Sequence, residues 1–115
     1  MAEARQEGLP EGLRRELEDL AEAYMEVLRR GAKNEASVLL YSASIYGASR
    51  MMAYTLGRRC KERTARVLGL AKEGLDRVAN YLSEGREDRM KLLVRLAALE
   101  AIIYQIASEC AGLEN

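Results

Sequence analysis

Eighteen carboxylates, fourteen arginines, two cysteines and six tyrosines carry most of the chemical potential of this 115-residue chain, and no histidine stands beside them. Without an imidazole there is no Ser-His or Cys-His nucleophile pair, and no Glu-x-x-His motif of the kind that binds iron in helical bundles. The cysteines lack zinc-like spacing, and no glycine-rich phosphate loop or dinucleotide fingerprint is present. An enzyme is therefore not expected, nor a cofactor. Glu18, Asp19, Glu22 and Glu26 are close enough in sequence to share a divalent cation. Carboxylates spaced four apart on an exposed helix read first as a solvated face, so no metal site is assigned.

Two further groups of residues have chemical promise. Arg58, Arg59, Lys61, Arg63 and Arg66 crowd five bases into nine positions, a density that can hold phosphate or a nucleic-acid backbone. The alternative is a solvated turn, or pairing with acids of the first helix. No aromatic residue is interleaved with these bases, so stacking on single-stranded nucleic acid is not suggested. Ser42, Ser44 and Ser49 with Tyr41, Tyr46 and Tyr54 could line a small-molecule pocket. Equally, helical serines can bond back to a carbonyl one turn earlier, and tyrosines can bury their rings with the hydroxyl at the rim.

The elements that must position these groups are helical. Leu13, Leu17, Leu20, Tyr24 and Val27 step by four, three, four and three, giving helix one over 10–30 with Pro10 in its first turn and Gly31 at its exit. Asn34 is the expected cap of helix two, over 35–57, whose core stripe reads Val38, Tyr41, Ile45, Ala48 and Met52. That stepping fails beyond Thr55, which places a turn at "LGRRCK" with Gly57 as the closing residue. Helix three follows over 61–84, on Leu68, Ala71, Leu75, Val78 and Leu82, with Gly69 and Gly74 inside it as possible points of close helix approach. Helix four opens with Glu87 and Asp88 in its first turn and carries Leu92, Leu96, Leu99, Ile103, Ile106, Cys110 and Leu113.

Short connections between four long helices predict an all-α fold, an antiparallel up-down-up-down four-helix bundle. A single domain over 10–115 is expected behind a mobile segment, 1–9. That topology puts Cys60 and Cys110 at one end. A disulfide is open to them if their Cα atoms come within about 7 Å, whereas two reduced thiols are the usual state in a mesophile's cytosol.

Charge is balanced overall at 18 basic and 18 acidic residues, yet residues 36–72 hold one acid against seven bases. Within that basic middle, "ASVLLYSASIYGAS" at 36–49 has no charge at all. It is shorter than the roughly 20 residues of a membrane span, and no signal peptide is apparent, so a cytoplasmic protein is expected. Only five amides occur, which suits a heat-adapted source, while the arginine excess equally fits a GC-rich genome. A bundle helix normally buries one stripe and wets the rest. Here Leu39, Leu40, Ala43, Tyr46, Gly47, Met51 and Tyr54 exceed what one monomer can cover, and helix four shows a similar surplus. A homodimer through helix two is the expectation, with a heterologous protein partner or a larger complex also open.

The segment "LLYSASIYGASRMMAYTLG" at 39–57 resembles the second helix of HEPN-type four-helix bundles, through Tyr41, Ala43, Tyr46, Ala48 and the terminal Gly57. The resemblance covers some twenty residues. It implies dimerisation, nucleotide or RNA association and often a nucleotidyltransferase partner. Ribonuclease members of that family use an Arg followed by a His. With no histidine, this chain would be a non-catalytic member.

Overall fold

The computed structural model describes residues 9–31, 35–85 and 87–112. They form four helices: α1 (Glu11–Arg30), α2 (Ala36–Leu56), α3 (Lys61–Glu84) and α4 (Arg89–Gly112). Among the described residues there is no strand, and the topology is the expected up-down-up-down four-helix bundle.

Helix ends follow local chemistry, with some shifts from expectation. Pro10 lies just outside α1 as its cap rather than in its first turn, and its carbonyl accepts from the Leu13 and Arg14 amides at 3.0 and 3.1 Å. Asn34 falls outside the described residues, and Glu35 occupies the cap position of α2. Glu87 and Asp88 precede α4. The Asp88 carboxylate accepts from the Met90 amide at 2.8 Å, capping the helix from outside it. Gly85 closes α3 with φ of 64°, a left-handed turn that favours glycine. Gly57 is different: its backbone is right-handed helical, and the reason for glycine is steric. A Cβ there would meet the Ala53 carbonyl oxygen at 2.3 Å and Leu13 Cδ1 at 2.9 Å, so the missing side chain accommodates the tight end of α2 and lets α1 seat against the α2–α3 turn.

Consecutive helices are antiparallel, yet the most extensive packing is between alternate ones, which run parallel: α1 on α3, and α2 on α4. The α2–α3 contact comes next, and α1 and α4 scarcely touch, so the helices outline a parallelogram with extents of 42 × 28 × 19 Å. Two layers result, α1/α3 and α2/α4. The core between them includes Leu13, Leu20, Val27, Val38, Ile45, Leu68, Leu75, Val78, Leu92, Leu96 and Ile103. Leu9 joins this core rather than a mobile segment, while 1–8 lie outside the described residues.

Polar ties fix the layers at the end away from the 57–60 turn. Arg30 crosses from α1 to the Ala79 carbonyl at 3.2 Å and to Ser83 on α3. It also pairs with Glu26 at 2.9 Å, and together with Arg29 holds that carboxyl below its ordinary value. Glu35 accepts from the Tyr81 hydroxyl at 2.9 Å and from Arg89 at 3.1 Å, joining the starts of α2 and α4 to the end of α3. Partial desolvation, then that bond to Glu35, pushes the Tyr81 phenol up.

The two interior glycines of α3 separate cleanly. A Cβ at Gly69 would meet nothing within 4 Å, whereas one at Gly74 would meet Leu99 Cδ2 at 2.5 Å. Gly69→Ala is therefore expected to raise stability by about 1 kcal/mol through helix propensity alone. Gly74→Ala should gain less or lose stability as Leu99 is displaced, and urea unfolding midpoints of the two variants would show the difference.

Candidate functional site

α1 and α3 are amphipathic in the ordinary way, with apolar residues inward and charges outward. α2 and α4 are apolar around most of their circumference, and the bundle places these two helices side by side in one layer. The core line of α2 is Val38, Ser42, Ile45, Ser49 and Met52; Tyr41 and Ala48, expected there, are only half-buried. Short serines on the core line suit close helix approach and turn the bulkier side chains outward.

The outer face of that layer is built from two uncharged stripes. On α2 the exposed residues Leu40, Ala43, Gly47, Met51 and Tyr54 step by three, four, four and three, with Leu40 71% and Met51 64% exposed. On α4, Met90, Val94, Ala101 and Tyr104 are exposed and Ala97 half-buried, spaced four, three, four and three, with Val94 62% and Tyr104 55% exposed. A groove of about 500 Å³ runs between the helices, and Gly47 and Met51 from one stripe and Tyr104 from the other border it. Glu100, a charge beside this groove, accepts a hydrogen bond from Ser44.

Five of the seven interface residues expected on helix two thus lie on this face. The other two serve the monomer: Leu39 packs on the core edge, and Tyr46 stacks on Tyr24 of α1 with ring centroids 4.6 Å apart. The α4 contribution was visible in the sequence only as a surplus of apolar residues. Its position beside α2 follows from the parallel packing, which no local pattern encodes.

The six hydroxyl residues do not line one pocket together. Ser42 is fully buried and donates to the Val38 carbonyl at 2.9 Å, Ser49 is fully buried without a hydrogen-bond partner, and Ser44 bonds to Glu100 across the layer. Tyr54 lies on the outer face with the Arg50 guanidinium 5.4 Å from its ring centre. Tyr46 and Tyr54 border one groove of about 240 Å³ against α1, Ser44 borders the other between α2 and α4, and the two buried serines reach neither.

Arg58, Arg59, Lys61, Arg63 and Arg66 are all exposed, at the end of the bundle where α1 begins. α3 starts at Lys61, so Arg59 belongs to the preceding turn, and only Arg63 and Arg66 share a helical side. Of the α1 carboxylates, Glu22 and Glu26 pair with Arg29, at 3.5 and 2.9 Å. No group of three metal-ligating side chains converges among the described residues. Cys60 and Cys110 are bonded as a disulfide with their Cα atoms 6.3 Å apart, which ties the α2–α3 turn to the last turn of α4.

No family model, curated protein or solved structure matches this chain. Among the described residues, no helix is long and apolar enough to cross a membrane.

Two substitutions test this arrangement. Cys110→Ser opens a cross-link between residues 50 positions apart, and should cost about 4 kcal/mol under non-reducing conditions by the chain-entropy estimate. The parent should show no thiol reactive toward a thiol reagent in denaturant without reductant. Ser49→Ala removes a buried hydroxyl that lacks a partner and improves helix propensity. A gain of about 1 kcal/mol in urea unfolding is expected, where a ligand-binding role would predict no such gain.

Proposed function

We propose that this protein is a non-enzymatic association module, a helical bundle that pairs with a second copy of itself through the outer face of the α2/α4 layer. The observation that carries the reading is the side-by-side placement of the two largely apolar helices, which brings their exposed uncharged stripes together, with Arg50 and Glu100 as the charges beside them. Contiguous apolar surface on this scale marks an interaction site.

A second copy is the occupant that fits best. An uncharged face can oppose itself without bringing like charges together, and the α1/α3 layer, charged outward, cannot serve as the complement. Gly47 and Ala43 leave room for a neighbouring backbone, while Leu40 and Met51 stand out as ridges that the groove beside Gly47 can receive. The area is adequate. Two helices of about 20 residues present a patch roughly 30 Å long and 20 Å wide, or about 600 Å² per copy, which reaches the lower edge of specific dimer interfaces.

Gly47→Glu is the informative variant. Its Cβ would meet nothing within 4 Å, so the monomer is not strained and should gain up to about 1 kcal/mol from helix propensity. The carboxylate would lie in the apolar interface, facing its own symmetry mate or nearby. Sedimentation velocity at roughly 10 µM should show a dimer for the parent and at least about a tenfold weaker association for the variant. A monomeric parent, or a variant that associates as the parent does, overturns the proposal.

A further inference from the structure

A second cleft lies elsewhere, between α3 and α4, and shares no residue with the uncharged face. It encloses about 670 Å³, within the range of small-molecule sites. Leu70, Leu96 and Leu99 supply an apolar side, and Gly74 allows Leu99 to lie against the α3 backbone.

The polar lining is mostly committed already. Asp76 holds Lys72 at 2.9 Å, Arg77 meets Glu87 at 3.4 Å, and Tyr81 donates to Glu35 at 2.9 Å. Glu84 also has a partner. Glu73 on α3 and Arg95 on α4 remain, two opposite charges that line the same cleft from facing helices without an ion-pair partner among the described residues. Asn80, one helical turn beyond Asp76, adds an uncommitted amide.

We propose that the α3/α4 cleft binds a small zwitterion with an apolar body, of the amino-acid class. Its ammonium group would meet Glu73, its carboxylate Arg95 with support from Asn80, and its apolar portion the three leucines. The separation of charge selects the class. A singly charged ligand of the same body engages only one of the two side chains, whereas a zwitterion gains a charge-assisted hydrogen bond from each. Because the cleft lies off the uncharged face, it stays open in the dimer proposed above.

L-leucine is the probe, followed through the methyl resonances of Leu96 and Leu99 by NMR titration. Leucinamide keeps only the positive charge of the probe, and 4-methylpentanoate only the negative one. Expected are saturable shifts with L-leucine, at least about tenfold weaker binding of each singly charged analogue, and a similar loss in Glu73→Gln and in Arg95→Gln. Both variants alter exposed side chains and should fold as the parent does. The proposal fails if L-leucine gives no saturable shift up to about 20 mM, if either analogue binds equally well, or if both variants bind as the parent does.

Discussion

A helix that is apolar on most of its circumference cannot be wetted on one side in the way an amphipathic helix can, and this chain contains two of them. The architecture is organised by that constraint. α2 and α4 shield one another laterally, and α1 and α3 cover their inner faces. The charged outer surfaces of α1 and α3 keep the opposite side of the molecule in water. A square bundle with equal neighbour contacts would leave the two apolar helices on a diagonal, each with an isolated outer stripe. The parallelogram observed here, with its parallel pairs, merges the two stripes instead.

The ends of the bundle hold this layering in place by unlike means. At one end, Arg30 and Glu35 bridge helices through hydrogen bonds of ionised side chains, which are directional and stronger than neutral ones. At the other, the packing of Leu13 over Gly57 and the covalent link between Cys60 and Cys110 bind the α2–α3 turn to α1 and to α4. Besides the packing of α4 on α2 and α3, its last turn is held by the disulfide, a covalent tie to the α2–α3 turn.

The helix periods could be read with little error, because burial of one stripe leaves a three- and four-residue spacing in any sequence that folds this way. α3 matches its expected range, α1 differs by one residue at its start, and α2 by one residue at each end. Misreadings arose where composition misleads. Ser42 and Ser49 lie on the core line of α2, Ser42 at modest cost because its hydroxyl bonds within its own helix and Ser49 with its hydroxyl unpartnered, while Tyr41 sits half out. Glu87 and Asp88 were expected in the first turn of α4 because acids favour that end of a helix, and Asp88 meets the same need as a cap.

The sequence by itself determined the number of helices, their boundaries, the absence of an imidazole and the fact that two helices carry more apolar surface than one bundle buries. These are local properties, set by residue type and spacing along a single element. Which helices lie together was decided only in three dimensions. The parallel pairing of α2 with α4, the bond between two cysteines 50 positions apart and the placement of Glu73 and Arg95 on one cleft all depend on how distant segments pack. Hydrophobic burial is non-directional, so a helix can hide its stripe against several partners. The choice among them falls to steric fits such as Gly57 with Leu13, and to the few polar bonds that tolerate only one arrangement.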